Sequence, residues 1–314
     1  METDVASLNE SMKGLTTRDR SNTEYTQYQP ETECLYDRTF ATPIGGEKHR
    51  YYFPVDAPEQ LREEACNTLW TNFVGLPLLL NPESTVLDLG AGWGTWANNM
   101  ASLFPGSVIV ALDSYFDSSQ YEAPGNCMLE AGNYEDPYFL YGWEHPTTFI
   151  HLRDSYFSLR EPPEFAKNVF AALCDGGCFQ NEEIRLENWE SNKPNLREWL
   201  KRTVNAARSL GIPLPSAQDI ITSLKEAGFL IESVRTDKWI TSKWTTAGAL
   251  LLEVVKLTVN ASARILVEGG SCTSDDVWNF LAEVGRELEE EDCVVVIEAE
   301  MVLARKLGDL APPR

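Results

Sequence analysis

A glycine-rich turn follows an apolar run near residue 90, in the sequence VLDLGAGWGTW. Its glycines allow the backbone to approach a ligand closely and to adopt positive φ values. The spacing is GxGxG, and no later glycine completes the dinucleotide pattern GxGxxG. Because a dinucleotide places its pyrophosphate at the helix N-terminus, this turn is better suited to the amino-acid tail and ribose of S-adenosylmethionine (SAM). We expect contacts to this cofactor from Gly90, Ala91, Gly92 and Gly94.

An acidic residue ends the next apolar run, VIVALD, nineteen positions after Gly94. A carboxylate at a strand tip can accept hydrogen bonds from both ribose hydroxyls, which makes Asp113 the predicted ribose ligand. Ser114 follows it and joins the predicted cofactor site. The alternative is an ordinary strand-to-helix turn with an unrelated surface aspartate. The two features together favour cofactor binding.

Three further positions are candidates for the cofactor's adenine. Asn133 follows the third predicted strand, and its amide oxygen can accept a hydrogen bond from the adenine amine. Trp96 or Tyr134 could pack on the adenine ring, although an aromatic side chain here is equally consistent with ordinary core packing.

Methyl transfer from SAM depends mainly on positioning, and a base is needed only when the acceptor carries a proton. The chain has three histidines: His49, His145 and His151. His151 ends the fourth predicted strand, at the edge where ligands of such sheets bind, and is the predicted catalytic base. A structural role for this histidine is the alternative.

Other residues on this edge could bind carboxylates or form an acceptor pocket. Arg153 could hold the methionyl carboxylate. An ion pair with Asp154 would explain the presence of an arginine at this position equally well. Aromatic side chains elsewhere could form an apolar wall, with ordinary packing as the alternative. The predicted substrate residues are Tyr51, Tyr52, Tyr156, Trp239 and Trp244.

Short apolar runs alternate with helical patterns along the chain, which predicts a Rossmann-like α/β fold with a parallel sheet. A sixth strand and a seventh, antiparallel strand are expected by analogy with methyltransferase folds. The predicted strands are 85–89, 107–113, 127–131, 147–152, 177–183, 229–234 and 293–304.

The predicted domain covers residues 39–310, after a polar, flexible arm at residues 1–38 and with a helical cap inserted at residues 237–270. The helix that follows Asp56 is expected to pack through Leu61, Ala65 and Leu69. A later helix is expected to pack through Val277, Leu281, Val284 and Leu288, and its acidic end, residues 287–292, to face solvent.

Composition restricts the classes of partner. The net charge of −22 and a pI near 4.5 argue against nucleic acid, which is bound by basic surfaces. The seven scattered cysteines, without zinc spacing, indicate reduced thiols that lie mostly in the core, and we expect no metal site. The absence of a leader-like N-terminus and of long apolar runs predicts a cytoplasmic or nuclear protein that does not bind membranes.

The order of several motifs resembles the LaeA-like methyltransferases of fungal secondary metabolism, over about residues 48 to 306. The matching segments are RYYFPVDAPEQLRE, VLDLGAGWGTWANNMA, FIHLRD, LCDGGCFQNEE, LKEAGF and the closing EVGRELE with VLARK. The resemblance implies a seven-stranded class I methyltransferase fold, SAM as cofactor, and SAM contacts at Gly90, Gly92, Asp113 and the pair Gly132 and Asn133.

The resemblance implies more than one function. Members of the family methylate small molecules or modified peptides, and others are regulators that act through protein partners. We expect transfer to an oxygen or nitrogen atom of a small molecule; the alternatives are a regulatory subunit and an enzyme that binds SAM without consuming it. Two positions depart from the family: Gly132 and Asn133 replace an acidic pair, and Gln180 replaces a glutamate.

Overall fold

The computed structural model describes residues 31–43, 50–75, 84–116, 123–143 and 145–308. A two-stranded hairpin precedes a central sheet of eight strands. The strands are β1 (Thr32–Leu35), β2 (Arg38–Ala41), β3 (Thr85–Leu89), β4 (Val108–Asp113), β5 (Cys127–Ala131), β6 (Thr147–Arg153), β7 (Cys178–Ile184), β8 (Glu190–Ser191), β9 (Leu230–Ile240) and β10 (Val295–Arg305).

The central sheet has the order β5-β4-β3-β6-β7-β10-β8, and β9 pairs with β10. Strands β3 to β7 pair in parallel, whereas β10 is antiparallel to its three neighbours. This is the predicted α/β class, with an antiparallel last strand. The order reverses between β3 and β6, so the loops after β3, β4, β5 and β6 form the edge where ligands of such sheets bind.

Helices cover the sheet and connect its strands. They are α1 (Ala57–Phe73), α2 (Thr95–Leu103), α3 (Pro162–Ala172), α4 (Pro194–Ser209), α5 (Ala217–Ala227), α6 (Thr246–Ala261), α7 (Ala263–Glu268) and α8 (Val277–Leu288). Among the described residues, no helix has the length and apolar character needed to span a bilayer.

The predicted flexible arm ends too late, because β1 and β2 already form an ordered hairpin. Arg38 forms a two-pronged ion pair with Asp56, at 2.7 Å for each contact. Arg264 of α7 is buried and pairs with Glu33 at 2.7 Å, and its guanidinium lies over the Phe40 ring. These long-range contacts order a segment whose local sequence is polar. Residues 1–30 of the predicted arm lie outside the described residues.

The predicted packing face of α1 is partly wrong. Asp56 caps this helix as expected by accepting the amide of Glu59, but Leu61 is 58% exposed. The buried face instead includes Cys66, Leu69 and Trp70. A spacing of four residues advances 400° around a helix, so three positions at that spacing drift off one face.

The predicted cap insertion starts too early, because β9 continues beyond 234 to Ile240 as the partner of β10 along its length. Trp239 therefore belongs to the sheet. Its side chain is 2% exposed and packs edge-on against Trp70, with ring centroids 4.9 Å apart. Only α6 and α7 remain as the helical part of the segment.

The seven cysteines, all within the described residues, are free thiols. Cys66, Cys127 and Cys178 are buried, while the other four are partly or fully exposed. The expectation of reduced thiols agrees with the fold, but fewer than half lie in the core.

The acidic end of α8 does more than face solvent. The four apolar residues predicted for its core face are buried, but so is Glu287, which is 7% exposed. Its carboxylate accepts the amides of Asn195 and Leu196, at 3.0 and 2.9 Å. Glu287 thus caps α4 from a distant part of the chain, satisfying amides that a helix N-terminus leaves without partners.

We predict that Glu287→Ala lowers the free energy of unfolding by about 1–3 kcal/mol, because it leaves two amides of α4 without an acceptor. Glu283→Ala, one turn earlier on the exposed side of α8, is the matched control and should change it by less than about 0.5 kcal/mol. Urea unfolding measures both. Equal losses in the two variants would contradict the cap.

Candidate active site

A cleft lies at the carboxyl ends of β3, β4, β5 and β6, and α1 forms its opposite wall. Its empty volume, including the open mouth, is about 1420 Å³. Nearly all the predicted cofactor residues line it; only Gly94 is absent from the lining. Those present are Gly90, Ala91, Gly92, Trp96, Asp113, Ser114, Asn133, Tyr134 and Arg153.

The glycine-rich turn is held against the tip of β4. Gly90, Gly92 and Gly94 have φ values of 64°, 54° and 68°, in the left-handed region that favours glycine. The Gly92 amide donates to Asp113 Oδ2 at 2.9 Å, and the Ala91 amide donates to the carbonyl of Leu112. The turn and the predicted ribose ligand therefore form one unit.

Asp113 receives two further hydrogen bonds at its other oxygen. The Tyr115 amide donates at 3.1 Å and the Ser114 hydroxyl at 3.3 Å. Burial raises the pKa of Asp113, although its hydrogen bonds, including the one from Gly92, oppose the rise. The carboxylate is consequently fixed in orientation at the strand tip. The Ser114 contact to Oδ1 is the longest of the three, and a ligand hydroxyl that displaced it could donate to Oδ1 in its place.

Glu63 of α1 lies directly over the glycine turn, and the sequence analysis missed it. Its Oε2 accepts the Trp93 amide at 3.0 Å. A Cβ atom at Gly92 would lie 2.1 Å from the same oxygen. Burial and the nearby charges of Glu59 and Asp113 raise the pKa of Glu63 to about 8, against the opposing effect of Arg62. The sequence signal that could have identified Glu63 is its position one helical turn after Glu59 in the predicted helix.

A buried chain of hydrogen bonds runs beneath the cleft across β3, β6 and β7. His151 is fully buried; its Nδ1 lies 2.8 Å from Asp88 Oδ1 and its Nε2 lies 3.4 Å from Glu182 Oε2. Burial disfavours the charged imidazole, but these two carboxylates outweigh it and raise the pKa of His151. Burial likewise disfavours ionised Glu182, yet His151 and Arg153 lower its pKa. This arrangement favours the protonated imidazole, whose two ring nitrogens can each donate to one of these side chains.

The placement of His151 weighs against the predicted role as a general base. A base needs a lone pair within reach of the proton that it removes. Both ring nitrogens of His151 face carboxylates, and Trp96 covers one face of the ring at a centroid distance of 4.0 Å and an angle of 9°. His151 is better placed to position Trp96 and the end of β6.

The structure explains Gln180, which stands where the family resembled in sequence has a glutamate. Its side-chain amide donates to Glu182 Oε1 at 2.5 Å, next to the imidazole contact of that carboxylate. Gln180 is buried and stands opposite His151 in the register of β6 and β7. A neutral amide here supports the ionised Glu182, whereas a second carboxylate would repel it.

The two predicted adenine-packing rings are both held in fixed positions. Tyr134 is buried, and its hydroxyl donates to Ser158 Oγ at 2.8 Å. Its ring lies 3.5 Å from the Cβ position of Gly90, so it contacts the glycine turn. Trp96 is fixed by His151. Both side chains line the cleft.

Asn133 and Arg153 also reach the cleft with partners of their own. Asn133 Oδ1 accepts the Glu135 amide at 3.0 Å, which stabilises the turn after β5. Arg153 donates to Asn67 Oδ1 at 2.8 Å and pairs with Glu182 at 3.4 Å. The ion pair that competes with ligand binding is therefore with Glu182 and not with Asp154.

A second cavity, with an empty volume of about 510 Å³ including open solvent, lies beside the first near α1. The two cavities share four lining residues, Tyr51, Arg62, Cys66 and Asp154. Four of the other nine residues that line the second cavity are aromatic: Phe53, Tyr156, Phe157 and Trp189.

Two of the five predicted substrate residues, Tyr51 and Tyr156, line this second cavity. The other three are corrected. Tyr52 and Trp239 are 9% and 2% exposed and belong to the hydrophobic core. Trp244 is 89% exposed in the turn before α6, away from both cavities. Trp239 and Trp244 differ in burial because Trp239 lies in strand β9, whereas Trp244 lies in the loop that follows it.

The residues of the cleft fit SAM. Gly90 and Gly92 bring backbone without side chains to the cleft, with the Glu63 carboxylate over Gly92; Asp113 offers carboxylate oxygens beside the turn, and Trp96 and Tyr134 line the same cleft. The carboxylates around the cleft also suit a cationic sulfonium. Within the described residues there is no group of metal-ligating side chains.

A family model described as a methyltransferase domain matches residues 59–234, more than half of the chain. This match includes the glycine turn, Asp113 and β6, and begins at Glu59 of α1.

Two curated fungal proteins are similar in sequence. "Probable methyltransferase tdiE" of Emericella nidulans is 26% identical over 226 residues, covering 68% of this chain and 69% of the relative. "Secondary metabolism regulator laeA" of Aspergillus flavus is 30% identical over 190 residues, covering 57% of this chain and 50% of the relative. The chain thus matches only half the length of the second relative.

Among solved structures, phosphoethanolamine N-methyltransferase 2 of Haemonchus contortus, in complex with SAM, gives a TM-score of 0.49 at 12% identity. The match covers 86% of this chain and 62% of that one.

We predict that Gly92→Ala weakens binding of S-adenosylhomocysteine by about tenfold or more, because the new methyl group would meet the Glu63 carboxylate in a cramped turn. Gly142→Ala is the matched control: Gly142 also has positive φ, 79°, but has open space around it. Isothermal titration calorimetry on both variants, with urea unfolding to measure strain, separates the two effects. Equal losses of affinity would show that backbone strain, and not the cleft, is responsible.

Proposed function

Because the chain belongs to the methyltransferase-domain family, we propose that this SAM-dependent methyltransferase acts on an oxygen or nitrogen atom of a small molecule of secondary metabolism. The main supporting observation is that the two cavities lie side by side and share part of their lining. The glycine turn and Asp113 line the first, aromatic side chains line the second, and Asp154 lines both. The name of the Aspergillus flavus relative, "Secondary metabolism regulator laeA", supports secondary metabolism as the setting.

SAM, when bound, supplies a methyl group that is already activated for displacement. The main tasks of the protein are therefore to align the acceptor atom with that methyl group and to exclude water. We assign the glycine turn and Asp113 to the amino-acid tail and ribose. Asn133 and the rings of Trp96 and Tyr134 are assigned to adenine, and Arg153 to the methionyl carboxylate. His151 keeps Trp96 and β6 in place.

The helical segment after β9 is proposed as the cap of the acceptor pocket. Helix α6 supplies Val254 and Thr258 to the wall of the second cavity. We place this segment within one domain spanning residues 39–310, extended toward the N-terminus by the β1–β2 hairpin. We further propose a cytoplasmic location.

The proposed transfer is tested with methyl-labelled SAM and a small-molecule extract of the source cells. We expect a labelled product by mass spectrometry. We expect Asp113→Ala to weaken SAM binding by about tenfold or more and to abolish the product, because it removes the acceptor that holds both ribose and Gly92. Asp275→Ala, on the exposed turn before α8, is the control. Unchanged SAM affinity in Asp113→Ala would refute the assignment.

A regulatory methyltransferase that acts through a protein partner is the second candidate. It is supported by the name of the laeA relative, a regulator of secondary metabolism. The two candidates differ in what remains when SAM binding is lost. A stoichiometric protein complex that survives Asp113→Ala, without any labelled small molecule, would favour regulation. SAM binding with turnover but no label would instead favour an enzyme that does not consume the cofactor.

A further inference from the structure

The second cavity has a chemical character that identifies a class of acceptor. We propose that it binds a flat, apolar amine, and that Asp154 is the catalytic residue that binds the protonated nitrogen and removes its proton. This inference rests on the proposed methyl transfer and narrows its acceptor from an oxygen or nitrogen atom to a basic nitrogen.

Asp154 lines both cavities and lies immediately after β6. Its φ is 51°, an unusual conformation for a residue other than glycine, and its amide is fixed to the carbonyl of Glu182 at 3.0 Å. Such strained conformations concentrate at functional sites. Its Oδ1 is shielded from solvent and makes no hydrogen bond of normal length in the described structure, and the Trp70 indole lies close enough to favour the ionised carboxylate. Because each carboxylate oxygen has two lone pairs, acceptor capacity remains for a ligand.

Charged and titratable groups surround Asp154 on three neighbouring elements. Arg62 and the Cys66 thiol are on α1, Arg153 ends β6, and Glu182 and Glu183 are on β7. Burial raises the pKa of Asp154, and the two arginines, with the Trp70 indole, oppose that rise. A carboxyl group with a raised pKa is a stronger proton acceptor once ionised.

The arginine that reaches both cavities is already paired. Arg62 contacts Glu59 Oε1 through Nη2 at 2.7 Å and through Nε at 2.8 Å. Arg153 is likewise paired with Glu182. Carboxylate partners compensate the charges of Arg62 and Arg153. The negative charge of Asp154 therefore makes the wall shared by the two cavities favourable for a cationic ligand and unfavourable for an anionic one.

Glu183, the other carboxylate of the second cavity, has a supporting role. Its oxygens accept the amides of Ser155 and Tyr156 and the hydroxyl of Ser155, at 2.9 to 3.1 Å. Burial and the nearby Asp154 raise its pKa to about 7, against Arg185. Glu183 thus fixes the loop directly after Asp154 and keeps that strained residue in place.

The walls of the cavity suit a flat apolar body. Phe53 and Phe157 have ring centroids 5.1 Å apart, and Tyr156 packs edge-on against Phe157 at 5.0 Å. Trp189 and Leu186 complete the apolar wall. Aromatic faces also attract cations, so the same walls favour an amine over a neutral analogue of equal size.

The proposed step balances in protons and electrons. The ammonium group of the acceptor gives one proton to the Asp154 carboxylate, which becomes a neutral carboxyl group. The freed nitrogen lone pair forms a bond to the methyl carbon while the bond from that carbon to sulfur breaks, and sulfur keeps the electron pair. The methylated nitrogen carries the positive charge that sulfur loses, and no oxidant or reductant is required.

Three indole probes of one shape test the charge preference: tryptamine is a cation, tryptophol is neutral and indole-3-propionate is an anion. Their binding to the full chain, saturated with S-adenosylhomocysteine, is measured by calorimetry at pH 7.5. We expect tryptamine to bind about tenfold or more tightly than tryptophol, since a hydrogen bond to a charged group is the stronger kind, and the anion to bind most weakly. Equal binding of cation and neutral probe, or tighter binding of the anion, would overturn the proposal.

Asp154→Asn removes the charge while keeping a side chain that tolerates positive φ. We expect this variant to bind tryptamine and tryptophol equally, and Asp275→Asn to keep the wild-type preference. A preference that persists in Asp154→Asn would overturn the role of Asp154. Failure of the wild type to bind S-adenosylhomocysteine would instead refute the proposed methyl transfer, so the two failures can be distinguished.

Discussion

The hydrogen-bonded chain from Asp88 through His151 to Glu182 lies in the middle of the sheet, with both carboxylates and the imidazole buried. Buried charges are costly unless each is paired, and removing one partner leaves the others unsatisfied. The three side chains come from adjacent strands, so a shift of one residue in any register would turn a charge toward the opposite face of the sheet. The chain therefore couples the alignment of β3, β6 and β7 to the shape of the cleft floor.

Several side chains of the cleft are held in place by members of this hydrogen-bonded chain. His151 holds Trp96 by stacking, Glu182 holds Arg153, and Asp154, directly after β6, lines both cavities. On the other side of the sheet centre, Asp113 holds the glycine turn by accepting the Gly92 amide. Helix α1 closes the cleft and brings charged groups of its own. Cofactor and acceptor would thus meet between elements that are fixed by buried polar contacts.

Much of the sheet could be predicted because its signals are local. Apolar runs with turn residues identified every central strand except the short β8, and the glycine turn and Asp113, predicted to lie at one site, line the same cleft. What failed depended on contacts between distant segments. Glu63 and Glu287 are ordinary helix glutamates until packing brings them to the amides of Trp93 and Asn195. Leu61, Trp239 and Trp244 were misjudged because small differences in phase or element boundary decide which side chains are buried.

The charge state of His151 tests this account most directly. In protein labelled with ¹⁵N-histidine, His151→Gln assigns the His151 ring resonances among those of the three histidines. Because the neighbouring carboxylates raise the pKa of this imidazole above its ordinary value near 6.5, most His151 rings should carry protons on both nitrogens at pH 6.5. The stability that this charge contributes should be complete below pH about 6.5 and decline as the pH rises through the folded pKa. A ring that is mostly neutral at pH 6.5 would contradict the proposed floor of the site and reopen the role of His151 as a base.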